Sequence, residues 1–325
     1  MPAGPHSSLP PDVEALRNKL LGWYERSHRD FPWRQTEDPY EILVSEVMSQ
    51  QTQLDRIVEP WRAFVERWPD VEALAGADRA DVVAFWSAHN LGYNNRAKYL
   101  HEAAKQVRED FDGEIPEEPA ALEELQGVGP YTANAVASFA FNTGDAVVDT
   151  NVKRVLYRAF DVRDEDEVFE AVANTLMPDG HSGAWNNAIM ELGGVACEKR
   201  PKCDEAGCPW RRWCSAYRSG NFEAPDVPTQ EPFEGSRRQM RGRVVEALAE
   251  HGAQELDELG PRVSVDYTSN AGQNPAEGGA KTGGPEEETN EGGREWLRDL
   301  LADMESEGLV AVRVGEDRVE VELAR

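Results

Sequence analysis

The chain runs to 325 residues, enough for about two or three compact units, and carries 61 acidic against 34 basic residues for a net charge of −27. That balance argues first against a nucleic-acid partner, whose binders are normally basic, and fits a carboxylate-rich surface adapted to concentrated salt, as in a halophile. No apolar run approaches a membrane span and the N-terminus lacks the blocks of a signal peptide, so a cytoplasmic, monomeric protein is expected, with no membrane partner.

Residues 1–11 read as a flexible leader. From Asp12, an N-cap, Val13, Leu16, Leu20, Leu21 and Tyr24 recur at helical spacing. Asp38-Pro39 opens a second helix with Ile42, Leu43, Val47 and Met48 on its apolar face and Glu46 and Gln50 one turn apart beside it. Further amphipathic helices are predicted around 55–67, 70–75, 78–88, 95–111 and 119–126, and the loop HNLGYNN, carrying Leu91 and Tyr93, precedes the helix at 95–111. Gly127-Val128-Gly129 then turns the chain tightly, and Pro130 starts a helix where its missing N–H costs nothing. Such a turn exposes backbone N–H groups at the positive end of a helix, which suits a phosphate; taken alone it reads first as an ordinary corner. Helices continue at 131–142, 150–159, 165–175 and 182–195. Almost nothing before residue 215 alternates with period two, so this region is predicted to be all-α.

All four cysteines fall in CEKRPKCDEAGCPWRRWC, as Cys197, Cys203, Cys208 and Cys214, with five, four and five residues between them. Clustering in one short loop indicates a metal site rather than a disulfide framework. Zinc and a [4Fe–4S] cluster both suit four thiolates, and the lack of a C-x2-C knuckle favours the cluster. Lys199, Arg200, Lys202, Arg211 and Arg212 make the loop locally basic, a candidate phosphate contact. A Pro, Gly and acid-rich linker over 219–235 ends the domain that begins at residue 12 and closes at 218. Beyond it SRRQMRGRVVEALAEHG predicts a helix with Val244, Val245 and Leu248 inward, followed by a short second helix, a third in REWLRDLLADMESEGLV, and a hairpin turning at Gly315-Glu316-Asp317. This order predicts a small α+β winged-helix domain over 236–325, with an acidic insertion at about 266–293 too polar and glycine-rich to pack.

The motifs DFPWR (30–34), SEVMSQQTQ (45–53), LGYNNRAKYLHEAA (91–104), LQGVGPYTANAVASFAF (125–141), VDTNVKRVLYR (148–158), NNAIMELGGVAC (186–197) and the cysteine loop occur in this order. Over about residues 12–215 the chain resembles the helix–hairpin–helix DNA glycosylases of the endonuclease III-like superfamily that carry an iron–sulfur loop, most closely the MutY-type adenine glycosylases. The resemblance implies a mainly α, two-lobed fold with double-stranded DNA across the cleft between lobes, and base excision repair as the function. It implies hydrolysis of the N-glycosidic bond of adenine mispaired with 8-oxoguanine or guanine.

By the same resemblance Glu46 is the general acid that protonates adenine, and Asp149 the carboxylate that stabilises the sugar cation; Asp149 also reads as an N-cap. Tyr131 stands where bifunctional relatives carry a nucleophilic lysine, which implies base removal without strand cutting, and Lys153 matches a helix lysine rather than that nucleophile. Gln51 matches the side chain inserted to extrude the adenine. Trp33, Arg34 and Glu191 match residues around the base pocket, and Asn151 one near the catalytic aspartate. Thr52, Leu91 and Tyr93 match contacts to the opposite base, while Gly127, Val128 and Gly129 match the phosphate-gripping hairpin. The cysteines match the cluster ligands.

Three departures stand out. The family's cysteine spacing is x6, x2, x5; Thr150 replaces a glycine after the aspartate; and residues 236–325 do not resemble the Nudix-like domain with which typical members read 8-oxoguanine. Two rival readings remain: a glycosylase of the same fold acting on thymine opposite guanine or on an oxidised pyrimidine, and a non-enzymatic iron–sulfur DNA-binding regulator.

Overall fold

The computed structural model describes residue 9 and residues 12–163, 166–225, 232–263, 286–315 and 318–325. The expected leader apart from residue 9, most of the acidic insertion, residues 226–231 of the linker and residues 316–317 of the C-terminal hairpin turn fall outside these residues. Compactness divides the chain into two units, Met1–Val71 with Gln106–Thr229 and Glu72–Lys105 with Gln230–Arg325. The helices are α1 (Val13–Ser27), α2 (Pro39–Ser49), α3 (Leu54–Arg67), α4 (Val71–Ala75), α5 (Arg79–Ala88), α6 (Asn95–Asp110), α7 (Pro119–Leu122), α8 (Pro130–Phe141), α9 (Thr150–Phe160), α10 (Asp166–Leu176), α11 (Ser182–Val195), α12 (Ser215–Ser219), α13 (Arg237–His251), α14 (Leu256–Val263) and α15 (Glu286–Ser306). The predicted capping chemistry operates at their starts: the carboxylates of Asp12 and Asp38 accept from Ala15 N and Tyr40 N.

In the first unit α2 packs against α3 and α8, and α11 packs against α1, α8 and α9. A core cluster joins Leu16, Leu20 and Trp23 of α1 with Val155, Leu156, Phe169, Trp185 and Ile189. The helix expected over 119–126 is shorter than its sequence pattern. Bonds from Glu124 N to Ala121 O and from Leu125 N to Leu122 O span three residues, tightening the chain before Val128 N closes onto Leu125 O.

In the second unit α5 and the first part of α6 belong with the C-terminal elements, and α13 packs against α5. Met240, Val244, Val245 and Leu248 of α13 are buried, as are Leu297, Leu300, Leu301 and Met304 of α15. Three antiparallel strands, β1 (Gln254–Glu255), β2 (Val310–Val314) and β3 (Val319–Leu323), form a sheet of order β1-β3-β2, with Gln254 opposite Val321 and Val312 opposite the same residue. The hairpin was predicted; β1 was not, because two residues carry no alternation to read. Helix α15 starts at Glu286, inside the interval 266–293 that composition marked as unable to pack. No described helix is long and apolar enough to cross a membrane.

Candidate active site

Every residue named in this subsection, except Leu91 and Tyr93, lies in the first unit. Helix α2 is buried nearly all round, from Tyr40 through Met48 apart from Glu41, so Glu46 is only 8% exposed. Burial pushes its carboxyl up to about 7, the Arg34 guanidinium pulls the other way, and Asp149 adds to the rise. Arg34 sits in a short 3-10 turn, Pro32–Arg34, and donates to Glu191 Oε2 at 2.9 Å and to Arg29 O at 3.0 Å. Glu191, fully buried on α11, also accepts from Arg29 N and Nε at 2.9 Å each. Burial alone would raise its carboxyl; the bonds from Arg29 and the charge of Arg34 outweigh it and hold the group below its ordinary value. Trp33 is buried beside this pair, its ring stacked on Phe31 at 5.0 Å and edge-on to Trp61 at 5.9 Å.

Asp149 caps α9. Its Oδ1 accepts from Val152 N and its Oδ2 from Asn151 Nδ2, both at 2.7 Å, so both oxygens are held by donors that favour the anion. Thr150 opens the helix without a positive φ, so replacing the family's glycine costs the turn no strain. Asn151 in turn accepts from Arg154, whose guanidinium also reaches Gly193 O at 2.9 Å and Cys197 O at 2.6 Å. Tyr131 keeps 37% of its surface exposed, while burial of its phenol and the carboxylates of Glu46 and Asp149 hold that phenol well above its ordinary pKa. Glu46 is therefore within electrostatic range of Arg34, Asp149 and Tyr131, and Asp149 within range of Tyr131. Lys153 is engaged elsewhere, 2.7 Å from Asp166.

The segment entering Asp149 is irregular, and side-chain amides hold it: Asn134 accepts from Asp145 N, Asn174 from Ala146 N, and buried Asn186 from Val147 N while donating to Ser138 Oγ. Gly193 lets α11 approach the start of α9, since a Cβ there would lie 2.7 Å from Asn151 Cβ. Asn134, Asn186 and Gly193 stand inside the sequence motifs with no task assigned to them, and Asn174 lies outside every motif. A buried asparagine in the apolar run NNAIMELGG was the available signal.

Beyond α2, Gln50 donates to Thr132 Oγ1 at 3.2 Å, exposed Gln51 has φ +53°, and Thr52 N bonds back to Ser49 O. A glutamine held left-handed marks a backbone that its surroundings constrain. In the hairpin, Val128 is buried while Gly127 and Gly129 are exposed. Gly127 needs its glycine, at φ +76°; Gly129, the N-cap of α8, has an ordinary φ and open space where a Cβ would stand. The fold itself therefore does not demand glycine at 129, where the backbone at the start of α8 is left bare. In the second unit Leu91 is buried, 4% exposed, and Tyr93 is half-buried with φ +46°.

The cysteine loop docks on the first unit's core through Trp210, whose ring meets Phe160 at 5.4 Å and whose Nε1 donates to Leu16 O. Arg158, 3% exposed, donates to Glu198 O, Phe222 O and Glu223 O and approaches Cys197 Sγ at 3.6 Å. Phe222 and Glu223, inside the expected linker, are thus tied to this unit. Neither anchor was foreseen. Among the described residues no three His, Cys, Asp or Glu side chains are grouped to hold a single metal ion. The donor chemistry nevertheless fits an iron–sulfur cluster. The thiols act on one another electrostatically, burial pushes Cys208 up to about 12, and Tyr217 N donates to Cys214 Sγ. The loop is less basic in effect than in sequence, because Lys202 pairs with Glu198 and Arg211 with Asp204.

Residues 44–178 match the family described as HhH-GPD superfamily base excision DNA repair protein. The adenine DNA glycosylase of Mycolicibacterium smegmatis is 39% identical over 237 residues, covering 71% of this chain and 79% of that protein. The adenine DNA glycosylase of Mycobacterium tuberculosis is 40% identical over 258 residues, covering 75% and 83%. Among solved structures, a thermostable thymine-DNA glycosylase aligns with a TM-score of 0.59 at 29% identity, over 64% of this chain and 97% of its own. An endonuclease III–DNA complex aligns at 0.55 with 22% identity over 64% and 96%, a likeness of fold alone.

Proposed function

The chain belongs to the adenine DNA glycosylase family of the HhH-GPD superfamily, and from that premise we propose that it hydrolyses the N-glycosidic bond of adenine mispaired with 8-oxoguanine or guanine in duplex DNA. The observation that carries this reading is a pair of carboxyls in unlike settings, one buried and the other held at both oxygens by N–H donors. Glu46, raised to about 7 by burial, keeps a proton to give to the leaving base. Asp149, whose two oxygens accept from Val152 N and Asn151 Nδ2, supplies the carboxylate that stabilises the developing sugar cation. Proton donation neutralises the departing adenine, and water takes its place on the sugar carbon. Tyr131 offers no amine for a Schiff base and Lys153 is paired with Asp166, so the strand is left uncut.

Trp33, Arg34, Gln51, Asn151 and Glu191 serve the base pocket and its extrusion in this reading, Thr52, Leu91 and Tyr93 the opposite base, and Gly127–Gly129 the phosphate. Cys197, Cys203, Cys208 and Cys214 hold a [4Fe–4S] cluster that, when bound, cross-links the loop docked by Trp210 and Arg158. Residues 12–218 carry the glycosylase, and 236–325 a winged-helix-like domain, consistent with the sheet order β1-β3-β2. The charge of −27 supports a reading of adaptation to concentrated salt, as in a halophile.

The likeness to a thymine-DNA glycosylase favours a second reading, removal of thymine opposite guanine. Duplexes containing A:8-oxoG, A:G, T:G or thymine glycol, incubated separately with the protein, distinguish the two. Adenine release from the first pair is expected, abolished by Glu46→Gln and by Asp149→Asn with DNA binding retained. Release of thymine without adenine would replace this reading by the second, and the absence of base release from every duplex, with DNA binding unchanged in both variants, would favour a non-enzymatic role.

A further inference from the structure

Residues 145–149, which carry the chain from α8 into α9, belong to no helix or strand, so their backbone N–H groups have no ladder to join. Three consecutive ones are each taken by an asparagine from a different helix. Asn134 of α8 accepts from Asp145 N at 3.0 Å, Asn174 of α10 from Ala146 N at 2.7 Å, and Asn186 of α11 from Val147 N at 3.0 Å. Two of these amides are themselves fixed through their NH2 groups. Asn134 donates to Pro130 O at 3.0 Å, and fully buried Asn186 donates to Ser138 Oγ at 2.8 Å. Ala146 and Val147 are buried, so side-chain oxygens rather than water satisfy their N–H groups. Two residues further on, the Asp149 carboxylate is bound at both oxygens within its own helix start, by Asn151 and Val152 N. Bonds internal to residues 149–152 do not set where that turn stands relative to α8. The asparagines tie the span before it to α8, α10 and α11 at once.

We propose that Asn134, Asn174 and Asn186 act together as positioning residues for Asp149, holding in place the span that delivers its carboxylate to the site. The proposal rests on the adenine glycosylase reading and goes beyond the resemblance, which assigns no task to any of the three. Asparagine suits the work for a physical reason. Its short side chain offers a neutral amide oxygen with few torsions to freeze, and it adds no charge beside two carboxyls. A carboxylate that stabilises a sugar cation acts through preorganisation, so a small displacement of the span weakens it. The same displacement reaches the acid. Burial holds the proton on Glu46, Arg34 of the 3-10 turn opposes it, and the charge of Asp149 adds to the hold, with Tyr131 of α8 in the same field. Loosening the span moves the anion from the sugar and makes Glu46 give up its proton at lower pH.

The test measures single-turnover adenine release by the full chain from an A:8-oxoG duplex across pH, with duplex affinity and thermal unfolding followed in parallel. The proteins compared are the wild type, Asn134→Ala, Asn174→Ala and Asn174→Asp. Asn134 and Asn174 are only half-buried, so these substitutions leave no sealed cavity of the kind that Asn186→Ala would create. Both alanine variants are expected to lose about tenfold in rate with duplex affinity retained, and the alkaline limb of the rate profile to move down by about half a pH unit. Asn174→Asp keeps an oxygen to accept from Ala146 N and should restore the rate; its added charge moves the limb upward, not downward. Asparagines that merely stabilise the fold predict a lower unfolding midpoint with rate and limb unchanged in the folded protein. That result overturns the proposal while leaving the enzyme reading intact, and so does Asn174→Asp performing no better than Asn174→Ala. Wild-type protein that releases no adenine overturns the enzyme reading, and this inference with it.

Discussion

Glu46 carries opposite consequences for chemistry and for stability. Its carboxyl titrates at about 7 in the fold against an ordinary value of 4.5. Above about 7 it loses the proton that the leaving adenine needs, so single-turnover base release is expected to decline about tenfold per pH unit on the alkaline side. A rate that stays flat through that range would remove Glu46 from the role of acid. Stability runs as follows. Between 4.5 and about 7 the folded state holds a proton that the unfolded chain has already released, so stability falls as pH rises through that window and levels off above it. Glutamine stays neutral throughout. Glu46→Gln is therefore expected to be inactive yet more stable than the wild type at about pH 8, by up to about 3 kcal/mol in denaturant titrations, with the difference vanishing at about pH 4.

At the scale of elements, Asp149, the carboxylate of the proposed mechanism, depends on how closely α11 meets α9. Gly193 leaves no room for a methyl group: its Cβ would stand 2.7 Å from Asn151 Cβ and 3.1 Å from Asn151 backbone atoms. Gly193→Ala must part the helices, displacing Asn151 and with it a hydrogen-bond partner of Asp149. The expected result is a loss of base release of about 100-fold with a destabilisation of only about 1–3 kcal/mol. Wild-type turnover in a folded Gly193→Ala protein would show that Asp149 does not rely on this contact. The sequence made the helices legible, because caps at Asp12 and Asp38 and apolar periodicity are local signals. It made the site legible only through motifs. Periodicity put Glu46 beside the apolar face of α2, but its burial comes from α3 and α8 packing on that helix, and no local pattern reports how many neighbours a helix will have. Asn186, Arg158 and Trp210 escaped notice for the same reason. Their partners, Val147, Phe222 and Leu16, are 39, 64 and 194 residues away in sequence.

At the scale of the whole molecule, an excess of 27 negative charges acts on folding and on DNA binding in opposite directions as salt rises. Many of the ion pairs that offset this charge involve exposed partners, such as Arg313 with Glu320 and Arg318 with Glu255, and exposed pairs are each worth about 0–1 kcal/mol. Screening therefore sacrifices little attraction. It relieves much more repulsion, because the Debye length shrinks from about 10 Å at 0.1 M to about 3 Å at 1 M salt. The buried Arg34–Glu191 pair and the apolar cores are screened far less, so the active-site geometry should persist. Phosphate binding weakens over the same range as counterion release loses its gain. The unfolding midpoint is accordingly expected to climb as KCl is raised from about 0.1 M to about 2 M, while duplex affinity falls. For a carboxylate-rich glycosylase, base release at a fixed, subsaturating duplex concentration should then peak at an intermediate salt concentration, where the fold is secured and the hairpin N–H groups still hold phosphate. Thermal unfolding and duplex titrations run at the same KCl steps check both limbs. An unfolding midpoint that drops steadily with KCl would show that specific ion pairs, rather than net repulsion, govern stability, and would remove the physical basis for reading the composition as adaptation to salt.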